Sequence, residues 1–249
     1  MKSIIHILSL GFISLCLATI IQAQTPSPSP AGGTAVAGAT NSARTDVYHV
    51  YLVHAALGKT ADLAESFKSP GPNAPAPGHM IVLQHQEGDS WDYAVIGHFG
   101  TKFTVEAARE QMPNAQRDLS DWHSDTIVNG PSWAEFSRAL GIGDDAAKTS
   151  GSVYVVSTNR AAPGHREQLE KVLGQPADPA TDKWVGSVLM QHLEGSPWHY
   201  LAIVRYASWQ DFAAEKTKTV PASMKKDSGW FQFRDNLALH ADTLCSRIQ

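Results

Sequence analysis

Cysteine is scarce in this 249-residue chain: there are two, and only Cys245 lies beyond the first 23 residues. A fold held by internal disulfides needs at least one pair, so the folded part rests on its apolar core. Cys245 reads as a small buried hydrophobe or as a bridge between chains. Basic excess is also missing: 20 Lys and Arg face 24 Asp and Glu, a net charge of −4. No positive field exists to hold a phosphate backbone, so nucleic acid is not an expected partner. Beyond residues 4–21 there is no long apolar run, which excludes a multi-span membrane protein. A hydrophobic content of 43% excludes a wholly disordered chain. P-loop, Rossmann, His-Glu-x-x-His, paired Cys-x-x-Cys and Gly-x-Ser-x-Gly patterns are all absent.

The one long apolar run reads as an address. Lys2 precedes Ile4 to Ile21, and Ile21-Gln22-Ala23 offers a cleavage point at Ala23. Residues 1–23 are expected to be a signal peptide, so the chain is expected to be exported to the periplasm or secreted. Contact with a membrane is expected only through this signal. Residues 24–45, rich in Pro, Ser, Gly, Ala and Thr, cannot bury enough surface to offset their ordering entropy, and read as a disordered linker.

The rest of the chain repeats. Val47-Tyr48-His49-Val50 aligns with Val153-Tyr154-Val155-Val156 at an offset of 106. QHQEGDSWDY (84–93) matches QHLEGSPWHY (191–200), and His123-x-Asp125-Thr126 matches His240-x-Asp242-Thr243. Three matches in one order divide the chain into copies at 46–145 and 151–249. Each copy opens with a β-branched, aromatic strand (Val47–His54, Val153–Arg160). A breaker and a short amphipathic helix follow. In copy one the loop Ser69–Gly78 then leads to a hairpin; its strands are Met80–Gln86 and Trp91–Phe99, and in copy two Val185–Leu193 and Trp198–Tyr206. Glycine in Glu87-Gly88 and Glu194-Gly195 supplies the positive φ that such turns often need. A second helix begins near Thr104 and near Ser208. The last element fits both periods. Its content of Ala, Leu, Asp, Asn and Arg leans towards helix, whereas a fourth strand would complete a β-α-β-β-α-β unit.

Strand, helix, hairpin and helix, given twice, resemble the dimeric α/β-barrel superfamily, whose relatives include antibiotic-biosynthesis monooxygenase-like, EthD-like and NIPSNAP-like domains. The resemblance spans residues 46–249 and rests on element order and duplication. It implies an α+β fold: two ferredoxin-like repeats packed sheet to sheet as one pseudo-symmetric α/β barrel. It carries over no catalytic residue. The Gly-x-x-Asp-Gly stretch of the related dye-decolourising peroxidases is missing.

Duplicated polar residues on apolar strands are the candidate ligand-binding positions. His85 and His192 follow Gln84 and Gln191 near strand ends. Alternation puts Ile81, Leu83 and His85 on one face and Val82, Gln84 and Gln86 on the other, and one set must face the lumen. A histidine there could serve as a base or a ligand to Zn, Fe or haem, or could order the hairpin by hydrogen bonding. His123 with Asp125 and His240 with Asp242 could pair imidazole with carboxylate, or could fix the final element. Trp91, Trp198, Tyr93 and Tyr200 read as core or cross-strand pairs. Asp92 aligns with His199 and His98 with Arg205, so one copy could hold a site that the other lacks.

These readings suggest a protein that binds a small, fairly apolar molecule in the barrel lumen. A small-molecule enzyme, oxygenase-like and either cofactor-independent or using haem or a transition metal, is one alternative. A structural or partner-binding envelope module is the other. Catalytic residues, cofactor and oligomeric state stay open.

Overall fold

The computed structural model describes residues 43–68, 78–101, 118–143, 149–226 and 228–248. The signal at 1–23, nearly all of the linker, most of the Ser69–Gly78 loop and the helix expected near Thr104 fall outside them. The described residues hold eight strands: β1 (Asp46–Ala55), β2 (Met80–Glu87), β3 (Tyr93–Gly100), β4 (Ser120–Gly130), β5 (Val153–Ala161), β6 (Trp184–Glu194), β7 (Tyr200–Tyr206) and β8 (Leu237–Arg247). They also hold five helices: α1 (Thr60–Ser66), α2 (Trp133–Leu140), α3 (Arg166–Leu173), α4 (Trp209–Ser223) and α5 (Gly229–Asp235).

The strands close into one antiparallel barrel in the order β1-β3-β2-β8-β5-β7-β6-β4. The strand order β4-β1-β3-β2 in the first half recurs as β8-β5-β7-β6 in the second. Two seams join the halves. Leu83, Gln84 and His85 of β2 pair with Arg247, Ser246 and Cys245 of β8, and Val128 and Asn129 of β4 pair with His192 and Gln191 of β6. The elements that carry the two His-x-Asp-Thr motifs, β4 and β8, are thus strands, with helix α2 following β4 in the first half. β8 pairs with β5 on one edge and β2 on the other, and this pairing overrides a weak helical propensity.

Alternation decides what fills the barrel. Val50, Ile81, Leu83, Ile96, Val128, Val156, Met190, Leu201, Ile203 and Cys245 form one buried cluster drawn from all eight strands. Cys245 is fully buried and its thiol lies near the Thr243 carbonyl; burial pushes its pKa up, as for an inert core thiol. Opposite faces of the strands carry two smaller clusters beneath α1 and α3. Helix α2 adds Phe136 and Leu140 to the lumen cluster. It begins at a reciprocal cap between Ser132 and Glu135 and ends at Gly141.

The repeated motifs interlock the halves. The turn after β2 lies on β8, where the Asp89 amide donates to Thr243 Oγ1 at 3.2 Å. The turn after β6 lies on β4, where the Ser196 amide donates to Thr126 Oγ1 at 3.3 Å. Both threonines are 1% exposed. Gly88 and Gly195 take φ of 131° and 118°, and a Cβ on either would stand 2.3 or 2.2 Å from the carbonyl oxygen of Asp242 or Asp125. The Thr of each His-x-Asp-Thr motif is therefore a clamp on the other half's hairpin.

Asp92 and His199 differ in type but share a task. Asp92 Oδ2 accepts from the Ala55 amide at 2.7 Å, and His199 Nδ1 accepts from the Ala161 amide at 3.0 Å. An imidazole can accept only with Nδ1 unprotonated. Burial, with Arg166 and Arg160 nearby, lowers the His199 pKa from 6.5. The unfolded chain therefore binds a proton below about pH 6.5 that the folded chain refuses, and stability falls as pH drops through that range. His192 adds to the fall, its pKa lowered by burial and by His199. His199→Asp restores the acceptor used in the first half. Thermal melts between pH 7 and 5 should show a shallower loss than the parent; an identical slope would mean that His199 is not the group responsible.

Candidate functional site

Buried side chains from all eight strands pack against one another in the lumen. A cavity of about 510 Å³ lies on the outer face of the second half, bounded by β5–β8, α3, the 175–182 segment, α4 and α5. The volume suits a small organic molecule. Outward parity on β5 brings Val155, Ser157 and Asn159 to its floor, and the same parity on β7 brings Ala202, Val204 and Tyr206. Leu173, Pro176, Leu189, Trp184, Trp230 and Phe233 make the apolar wall.

The floor is polar and tightly connected. His240 and Asp242 of β8 face outward into the cavity. His240 Nδ1 lies 2.9 Å from Asn159 Oδ1, and Nε2 lies 3.1 Å from Asp242 Oδ2. Phe233 meets the His240 ring edge-on at 5.0 Å. Ser157 donates its hydroxyl proton to Asp242 Oδ1. Against the upward pull of burial, the hydrogen bonds from His240 and Ser157 hold the Asp242 carboxyl below its ordinary range. It therefore faces the cavity as an anionic acceptor at neutral pH. On the far side Glu215, 5% exposed, accepts from the Tyr206 hydroxyl at 2.7 Å and the Lys183 amide at 2.8 Å. Burial first, and then Glu215, push the Tyr206 phenol up, so it stays protonated and donates. Lys216 lies 3.2 Å from Glu215 and stacks over Phe212.

The first half uses the same positions differently. His49 stands where the second half has Val155, and its Nε2 reaches Asp125 Oδ1 at 2.7 Å. His123 Nε2 lies 3.4 Å from the other oxygen of Asp125. Tyr51, in the place of Ser157, is 4% exposed, and burial raises its pKa. Both oxygens of Asp125 are thus engaged by imidazoles, whereas in the second half one faces Ser157.

The structure separates the other candidates from the cavity. His85 and His192 point into the lumen at the two seams, edge-on to Trp91 and Trp198 at 6.0 and 5.8 Å. Each leaves a buried Nε2 without a partner among the described residues. Gln84 and Gln191 sit on the opposite parity, and Gln191 accepts from Arg44 at 3.2 Å. Among the described residues no group of three or more His, Cys, Asp or Glu side chains is arranged to hold a metal ion. His85 and His192 stand at different seams of the barrel, and neither belongs to such a group among the described residues. Trp91, Trp198, Tyr93 and Tyr200 are buried, and both tyrosine hydroxyls donate to the first residue of a helix, Thr60 or Arg166.

Sequence reasoning did not find Ser157, Asn159, Glu215 or Trp230. The polar run Ser157-Thr158-Asn159-Arg160 at the end of an otherwise apolar β5 was the available signal for the first two. Glu215 is one acid in an otherwise ordinary helix, and nothing in the sequence singles it out.

An anthrone oxidase-like protein superimposes with a TM-score of 0.58 at 10% identity, over 85% of this chain and 94% of that one. This chain shares its fold. A monooxygenase candidate from Fusobacterium nucleatum subsp. nucleatum gives 0.54 at 7% identity, over 82% and 93%. No family model and no curated protein matches the sequence. The shared barrel agrees with the superfamily resemblance; identities this low speak to fold alone.

Proposed function

We propose that the chain is an exported protein that binds a small, largely apolar aromatic molecule bearing a hydroxyl group. The barrel is read as two ferredoxin-like copies in tandem, released by cleavage near Ala23. The ligand occupies the cavity of the second half. The observation that carries this reading is the pairing of an aromatic and aliphatic wall with Asp242, an anionic acceptor braced on the floor by Ser157 and His240, while Glu215 is engaged by Tyr206 and the Lys183 amide and Asp178 and Asp182 lie at the 175–182 segment. A phenol or alcohol would donate to Asp242 while its rings lie against Trp184, Trp230 and Phe233. The fold of the anthrone oxidase-like protein is in keeping with an aromatic ligand. Melting the chain with a panel of two- and three-ring phenols and ketones tests it. A ligand at 100 times its Kd should add about 2.7 kcal/mol of stability; a panel without a stabilising member would refute the reading.

Catalysis is a second reading, favoured by one observation: an imidazole paired with a carboxylate at the cavity wall. In that case dioxygen uptake with a bound phenol should be measurable and lost in His240→Gln with ligand binding retained.

A further inference from the structure

Helices α4 and α5 cover the cavity but bury little of themselves. Glu215 is the one buried residue of α4, and α5 has none. Their connection is a closed turn: Ser228 Oγ donates to the Ser223 carbonyl at 2.8 Å and the Ser228 amide to the Lys225 carbonyl at 2.9 Å. This hairpin holds Val220, Met224, Trp230 and Phe231, which are 54, 79, 49 and 39% exposed. Residues 209–235 carry four lysines and one arginine against Asp211, Glu215, Asp227 and Asp235, a net +1 in a chain that carries −4, and the four lysines lie together between residues 216 and 226. Lys216 is spent on Glu215, but Lys218, Lys225 and Lys226 are exposed and in no ion pair among the described residues.

We propose that the α4–α5 hairpin docks on an anionic lipid bilayer. Aromatic rings and a flexible methionine at a helix turn suit the depth between headgroup and acyl chain, and lysines beside them reach lipid phosphate along their apolar stems. Charge selects this occupant. An isologous contact with a second copy would set the lysines of both copies against each other. A neutral surface would leave them unmatched. The sequence gives membrane contact only to the export signal; this surface is a second one, within the folded part. Trp230 belongs to both the docking surface and the cavity wall. Docking therefore places the wall of the proposed ligand site at the bilayer, where apolar molecules concentrate. That last link rests on the ligand-binding reading, whereas docking itself does not.

The test is tryptophan quenching in the full chain by vesicles carrying acyl-brominated lipid. All seven tryptophans lie between residues 91 and 230, so insertion of the N-terminal apolar run adds no signal of its own. Phosphatidylglycerol-rich vesicles should quench, and pure phosphatidylcholine should quench far less. Trp230→Phe should remove most of the quenching. The triple variant K218E/K225E/K226E should weaken it at least about 100-fold in lipid concentration, with an unchanged circular dichroism spectrum. Absence of quenching on anionic vesicles would overturn the proposal. So would full quenching in Trp230→Phe or in the triple variant, equal quenching on both vesicles, or a vesicle-free dimer by sedimentation that the triple variant abolishes. Ligand melts without lipid read the cavity separately, so failure of docking and failure of ligand binding are distinguishable.

Discussion

Alanine at Gly195 is expected to cost about 3 kcal/mol, and the same change at Gly88 a similar amount. Two effects act together. Each residue takes a φ that L side chains avoid, and each new Cβ would meet a backbone carbonyl of the opposite half at 2.2 or 2.3 Å. A backbone oxygen inside a barrel strand cannot swing away as a side chain can. Relief requires the turn to lift, which breaks the hydrogen bonds that the Ser196 and Asp89 amides donate to Thr126 and Thr243. Melting temperature should fall by roughly 6–12 °C for each variant. The double variant should approach the whole stability of an ordinary domain, because the sites are far apart and should add. Gly97→Ala is the control, since its Cβ would meet nothing within 4 Å and its φ is ordinary. It should change stability by no more than about 0.5 kcal/mol. Urea unfolding measures all four. Near-neutral effects at Gly88 and Gly195 would mean that the halves are not interlocked through their hairpins.

Asp242→Leu is expected to change selectivity more than affinity in general. The carboxylate accepts from Ser157 and stands beside His240, and one face of it looks into the cavity. A phenolic ligand should lose about 10- to 100-fold in affinity, the ordinary cost of leaving a buried donor unpaired. The same ring system without its hydroxyl should bind the variant as well as, or better than, the parent. Titration calorimetry with the matched pair gives the ratio directly. Equal losses for both compounds would show that Asp242 supports the site rather than reading the ligand.

Much of the strand order was legible because similar segments recur along the sequence. The hairpins at 80–100 and 184–206, the starting strands and their turns follow from β-branched runs and breakers that recur in the same order, at offsets of 106 and 107. Closure was less legible. Seam pairs such as His85 with Cys245 join residues 160 positions apart, and no local pattern specifies them. The last element stayed open between helix and strand, because its residues fit both periods, and its two strand neighbours decide for strand. Helix α2 announced itself only through Ser132, Glu135 and Gly141, in a stretch that duplication did not illuminate. For the site, duplication drew attention to His240 and Asp242 and equally to His85 and His123. Only parity and the cavity distinguish them: His85 turns inward into a packed lumen, and Asp125 is occupied by His49. The substitution of Val155 for histidine, which leaves the second face open, is visible in the aligned copies but gains meaning only with the cavity beside it.

Location of the ligand is the central claim about function, and a blocked cavity tests it most directly. Ala202 lies on the cavity floor among Val155, Val204 and Leu189. Ala202→Phe should fill that floor and leave the lumen untouched. Calorimetry with the tightest phenol from the panel should then show binding abolished in Ala202→Phe and unchanged in His85→Phe, a substitution at the lumen. Full binding in Ala202→Phe, with loss in His85→Phe, would return the ligand to the lumen and contradict the account.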